Sequence, residues 1–194
     1  MTPLVPTQLS LIRHAPALTD GRMAGLRDVD ADCSDAAAFC RLRVGIGAFD
    51  HLVISPARRC VQTAAALWPD RDAAHSDRAL WEQNFGDWEG QPYSDLPDLG
   101  PLSASDLAAH RPPNGESFAD ICARMMPALI TAAGLGGHVV VLAHAGCARA
   151  AIAHATGSIP AALSFQIAPL SVTRFEMMAP AAEWSIGCVN RIFA

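Results

Sequence analysis

Three short apolar runs along this chain end in the same way. Residues 9–12, apolar but for Ser10, lead directly into Arg13 and His14. Residues 51–54 lead into Ser55-Pro56-Ala57-Arg58-Arg59, and residues 139–143 lead into His144. None of the runs contains Gly or Pro, and each has the length of a buried strand. Ala15-Pro16 stops the first, because a proline pushes the preceding residue out of the helical region. The pattern predicts buried strands of an α/β sheet whose carboxyl ends carry His and Arg. In open α/β sheets ligands bind outside those ends, so one sheet edge is the candidate site.

The segments between the runs fill in the fold. Residues 15–32 have no period and read as a long loop over that edge. Ser34 is a candidate N-cap for a helix reaching Arg43, with Phe39 and Leu42 inward and Gly45 and Gly47 ending it. A second helix is expected over 57–67, where Cys60, Ala64 and Leu67 recur at helical spacing. Arg58 and Arg59 fall in its first turn, where cations oppose the macrodipole by about 0.3–1 kcal/mol each. A bound anion would reverse that penalty. A turn at 69–72 precedes a short strand expected within 73–81. Residues 81–92, WEQNFGDWEGQP, have neither period and read as a loop holding a carboxylate over the sheet edge.

Residues 93–113 carry four prolines and read as a lid with one short helix over 105–110; such loops often set substrate choice. A longer helix is expected from 115 or 116 to 133, with Phe118, Met125 and Leu129 inward and a kink or break at Pro127. Another helix is expected over 146–155. Two late strands, 171–177 and 185–189, are separated by an Ala-Pro turn and predicted antiparallel at one sheet edge. The expected architecture is an α/β sheet with helices between its strands. It forms one domain over residues 1–194, with a small lid-like insertion around 91–113.

Composition narrows the function classes. Hydrophobic residues are 51% and charged residues 17% of 194, which excludes a disordered chain. The net charge of -5 provides no global field for nucleic acid or anionic lipid, so any anion site is local. The six cysteines form no C-x-x-C pair and read as reduced thiols of a cytoplasmic protein. No signal peptide and no membrane-length apolar run is visible. Monomer and homodimer are both compatible with the sequence.

His14 and His144 stand apart from the other five histidines because each directly follows a buried run. Metal-ligand motifs are absent, as are a G-x-S-x-G elbow and a phosphate-binding Gly-rich loop. Two His, several Arg and one Glu suit phosphoryl transfer. Arginine forks neutralise the phosphoryl oxygens, a neutral imidazole attacks phosphorus, and a carboxylic acid protonates the leaving oxygen.

These blocks resemble the histidine phosphatase superfamily, also called phosphoglycerate-mutase-like. Leu11-Ile12-Arg13-His14 is similar to its strand-end signature, Ser55 to Ala64 to its SP-L-x-R-A-x-x-T-A, and Leu80 to Gly90 to its L-x-E-x-x-F-G-x-W-E-G. Asn114-Gly115-Glu116-Ser117 with Arg124, and residues 139–146, resemble the next two blocks. The resemblance implies a three-layer α/β/α sandwich with a mostly parallel central sheet, with His14 as nucleophile, Glu82 as proton donor and Glu89 structural. It implies Arg13, Arg59 (not Arg58) and His144 as phosphate ligands, and neither metal nor organic cofactor. Ala15 and Ala145 replace the family's usual Gly. Asp20 replaces an Asn that touches phosphate, so backbone amides around Ala24-Gly25 are the expected substitute; Gly25 and Ala145 are secondary candidates.

The implied activity is a phosphomonoesterase acting on a small phosphate ester. The FGDWEG block and the spacing of Gly21, Gly25 and Asp28 resemble α-ribazole phosphatases of cobalamin nucleotide-loop assembly. A phosphomutase, a sugar-phosphate phosphatase and a non-catalytic phosphoester-binding module are the alternatives. The first differs in its product, and the last in showing no turnover.

Overall fold

The computed structural model describes residues 6–71, 75–179 and 183–194. Six strands form one sheet in the order β3-β2-β4-β1-β5-β6. They are β1 (Thr7–Arg13), β2 (His51–Ile54), β3 (His75–Ser76), β4 (His138–Ala143), β5 (Val172–Met177) and β6 (Ser185–Arg191). The first four in sheet order are parallel to one another, and β5 and β6 close the other side antiparallel.

Alternation along β1 and β4 divides the core into two layers. Leu9, Leu11, Val139 and Val141 face one layer with α4 (Phe118–Ala133) and α5 (Ala145–Thr156). Ile12, Val140 and Leu142 face the other with α1 (Ala36–Ile46) and α2 (Arg58–Leu67). Both faces are covered, so the strands are apolar at nearly every position, as parallel strands are. Each fully buried aliphatic side chain contributes roughly 1.5–3 kcal/mol. The two remaining helices are short: α3 (Ala104–Ala109), within the expected lid, and α6 (Ile159–Ala162). No helix among the described residues is long and apolar enough to cross a membrane.

Several local expectations change. Asp35, not Ser34, caps α1 by accepting from the Ala38 amide, while the Ser34 hydroxyl donates to Asp32. Gly45 lies inside α1, where a Cβ would collide with Phe193; Gly47, at φ +69°, is the C-cap. The strand expected within 73–81 is confined to β3, and residues 78–80 form a 3-10 turn instead. Residues 72–74 lie outside the described residues, as does Pro180 of the Ala-Pro turn. Pro127 does not divide α4, which runs unbroken from a full capping box between Ser117 and Asp120. The helix α6 gives no advance signal, being four residues long.

Candidate active site

Two adjacent parallel strands end in register. Arg13 of β1 pairs with Ala143 of β4, so His14 and His144 emerge side by side. Their ring centroids are 5.1 Å apart at 69°. The His14 amide donates to the Ala143 carbonyl at 2.9 Å, and its Nδ1 lies 2.6 Å from the Ala15 carbonyl oxygen. A carbonyl only accepts, so Nδ1 carries the proton. In a neutral ring, Nε2 then holds the free lone pair. The Ala15 amide is held in turn by Thr63 Oγ1, whose hydroxyl donates to the Arg59 carbonyl.

His144 is the N-cap of α5. Its Nε2 is 2.9 Å from Ser55 Oγ, just past the carboxyl end of β2, and 3.6 Å from Cys60 Sγ in the first turn of α2. Its Nδ1 is buried with no hydrogen-bond partner among the described residues, and so is Nε of Arg13. The other end of Arg13 is anchored, Nη1 donating to the Ile167 carbonyl at 2.6 Å.

Arg59 is 1% exposed, an uncommon burial for a permanent cation. It sits in the first turn of α2, which has no side-chain cap. Nη2 and Nη1 donate to the carbonyls of Gly25 and Arg27 at 2.7 and 3.2 Å. Arg58 instead faces outward, paired with Asp30. The 25–27 loop is itself gathered by Glu89, whose carboxylate accepts from the amides of Gly25, Leu26, Arg27 and Phe85. Glu89 is thus a structural hub. The Gly25 amide, expected as an anion donor, is already bonded to that hub and cannot serve substrate. Asp20 is exposed and bends the loop at φ +54°.

Glu82 reaches the same edge from an irregular segment. One carboxylate oxygen accepts the Gly146 amide in the first turn of α5 at 3.3 Å, and the other accepts the Gln83 amide at 3.1 Å. A helix N-terminus favours such a carboxylate. Ala145, the other secondary candidate, is the first residue of α5. A Cβ on Gly146 would lie 2.2 Å from Glu82 Oε1, so it is here, rather than at position 145, that glycine is needed.

Burial dominates the electrostatics. It drives the His14 imidazole down to about 3, against the bond to Ala15, and the Arg59 and Arg13 charges push the same way. His144 is lowered well below its ordinary value by burial, then by His14 and the arginines. Burial likewise raises the Cys60 thiol to about 12, so Cys60 packs beside His144 as a thiol and not as an anion.

The structure therefore gathers Arg13, His14, Arg59, Glu82 and His144 at one sheet edge. It also draws in residues that sequence reasoning missed as contributors. Ser55 and Thr63 were visible only as motif letters, and the Ile167 carbonyl had no side-chain signal at all. Among the described residues, no group of three or more His, Cys, Asp or Glu is placed to hold a metal ion. A cavity of about 820 Å³ lies elsewhere, between the start of β2 and the second half of α4, lined by Asp50, His51 and Ala132 among others. It contains none of the gathered residues.

Comparisons with known proteins show the family and the fold. The model of the histidine phosphatase superfamily (branch 1) matches residues 9–188. The fructose-2,6-bisphosphatase TIGAR of Xenopus tropicalis is 31% identical over 81 residues, 39% of this chain. That match spans only 30% of the relative's length. The α-ribazole phosphatase of Shigella flexneri superposes with a TM-score of 0.79 at 21% identity, covering 96% of this chain and 97% of that one. A phosphoserine phosphatase mutant of Entamoeba histolytica, in complex with phosphoserine, gives 0.79 at 20%, covering 96% and 98%. A mycobacterial glucosyl-3-phosphoglycerate phosphatase gives 0.80 at 21%, covering 95% and 99%. At such identities these likenesses speak to the fold alone.

Proposed function

We propose that this chain, which belongs to the histidine phosphatase superfamily (branch 1), is a phosphomonoesterase that hydrolyses a small phosphate ester through a phosphohistidine at His14. The observation that carries this reading is the His14–Ala15 bond, which leaves the Nε2 lone pair free on a buried, neutral ring between arginines.

In the first step Nε2 attacks phosphorus in line and the bond to the ester oxygen breaks. Arg13, Arg59 and His144 bind the phosphoryl oxygens, spreading their charge over fixed donors. With the Ser55 hydroxyl donating to His144 Nε2, the proton of that neutral ring sits on Nδ1, which becomes a donor to phosphate. Glu82 gives its proton to the leaving alkoxide. In the second step the Glu82 carboxylate takes a proton from water as its oxygen attacks phosphorus, releasing inorganic phosphate and restoring His14. Fixed guanidinium charge does the electrostatic work, so the reaction draws on neither a metal nor an organic cofactor.

The reading extends to one domain over the whole chain, with residues 91–113 acting as a lid that selects the alcohol part of the substrate. The Tyr93 amide donates to the Gly21 carbonyl and the Gln91 carbonyl accepts the Met23 amide, tying the start of this segment to the 21–23 turn. A cytoplasmic setting fits six free cysteines. α-Ribazole 5′-phosphate leads the candidate substrates on the FGDWEG block. The test is a turnover screen with α-ribazole 5′-phosphate, phosphoserine, glucosyl-3-phosphoglycerate and fructose 2,6-bisphosphate. Released phosphate supports a phosphatase, and an isomerised ester supports a mutase. Near-normal turnover in His14→Ala would overturn the mechanism.

A further inference from the structure

Glu82 sits in a stretch without regular structure, between the 3-10 turns Arg78–Leu80 and Gly86–Trp88. Proton transfer nonetheless needs its carboxylate held to within a fraction of an ångström. The restraint comes from α4. Arg124 Nη1 donates to the carbonyls of Ala79 and Trp81 at 2.8 and 2.9 Å, and Nη2 donates to that of Glu82 at 3.3 Å. Nε and Nη2 together grip the Glu116 carboxylate at 2.8 and 2.7 Å. Glu116 holds the far side: its Oε2 accepts the Asn84 amide, its amide donates to the Asn84 carbonyl, and its carbonyl accepts from Gln83 Nε2. One planar fork thus gathers three carbonyls around the acid, while its ion partner gathers the next two residues. Burial opposes ionisation of Glu116, but the hydrogen bonds from Arg124 and Asn84 outweigh it and hold its carboxyl below the ordinary range. The clamp is therefore charged at neutral pH.

We propose that Arg124, locked by Glu116, is a positioning residue for the general acid, setting the Glu82 carboxylate against the leaving oxygen without touching substrate. The inference rests on the phosphomonoesterase reading above. A fork that only stabilised the fold would affect all substrates alike. A fork that aims the acid matters in proportion to how much the leaving group needs a proton. An alkoxide needs one as the bond to phosphorus breaks; p-nitrophenolate leaves as a stable anion.

The experiment compares kcat/KM for glycerol 3-phosphate and p-nitrophenyl phosphate in the wild-type, Arg124→Gln, Arg124→Lys and His14→Ala proteins, with melting curves to establish folding. Misaiming a general acid that contributes about 10²–10⁴ should cost Arg124→Gln about tenfold to a hundredfold on the alkyl ester and under about threefold on the aryl ester. Arg124→Lys should lose less, because it keeps the charge facing Glu116, but with the same selectivity, because a point charge cannot span three carbonyls. Should Arg124→Gln fail to fold, Glu116→Gln is scored by the same ratio. Equal losses on both esters, or no loss on the alkyl ester, would overturn the positioning role. His14→Ala separates the two readings: if it stays active, the phosphohistidine reading fails, whatever the arginine variants do. If it is inactive and the arginine variants are unselective, only this inference fails.

Discussion

The imidazoles of His14 and His144 meet edge to plane, 5.1 Å between centroids, each almost wholly excluded from water. That pairing makes stability depend on pH. Unfolded, each ring binds a proton below about pH 6.5; folded, His14 does so only near 3 and His144 is held well down too. Between those limits the unfolded state binds more protons. Stability is therefore full above about pH 6.5 and falls as pH drops toward 3, by up to about 1.4 kcal/mol per pH unit for each buried ring. Urea unfolding at pH 4–7 should show this slope, and His144→Gln should flatten it by about half. A wild-type curve flat over that window would contradict the neutral pair.

The Ala15 carbonyl fixes which nitrogen of His14 carries the proton. Because it holds Nδ1–H at 2.6 Å, phosphorylation should fall on Nε2 of His14. Rapid quenching during turnover, followed by ³¹P NMR of the denatured protein, should show the Nε2 isomer. His14→Ala should leave no phosphoprotein and almost no activity. Detection of the Nδ1 isomer would mean that the ring turns over in the cycle.

Glu89 acts on Arg59 without touching it. Its carboxylate collects four amides of the two loops, and two carbonyls of the 25–27 loop carry the Arg59 fork. Glu89→Gln loses the charge and replaces one acceptor oxygen with a donor. It should cost about 2 kcal/mol of stability, the scale of hydrogen bonds to a charged group. It should also weaken inorganic phosphate as a competitive inhibitor about tenfold, less than the loss expected from removing Arg59 itself. Calorimetry and inhibition constants test both effects. Unchanged phosphate inhibition would limit Glu89 to stability.

Positions 145 and 146 should respond in opposite ways to small changes. Gly146→Ala puts a methyl where Glu82 Oε1 lies, 2.2 Å away, and should reduce kcat on alkyl phosphates at least tenfold through the displaced acid. Ala145→Gly touches neither Glu82 nor the α5 hydrogen bonds and should stay within about threefold. Steady-state kinetics on one alkyl ester decides the matter. Equal effects would mean that backbone freedom, and not the carboxylate, is what position 146 supplies.

The primary sequence by itself determined the main strands and the longer helices that cover them, and it put histidine and arginine at the strand ends. Buried runs ending in Arg13-His14, Ser55 and His144 are local patterns, and apolar period and length are enough to read them. The fold class and its antiparallel edge followed from the same evidence. It could also tell Arg59 from Arg58, through the motif letters around them. Tertiary structure alone decided the rest. The register between β1 and β4 sets the two imidazoles side by side, and register is a property of two segments more than a hundred residues apart. The caps shifted by one residue because Ser34 found Asp32 first. The Gly25 amide was lost to Glu89, and Glu82 gained its aim from Arg124. Those are hydrogen bonds that reach irregular segments with no period of their own. Their partners are chosen by where the packed strands and helices bring the backbone, so no local pattern encodes them.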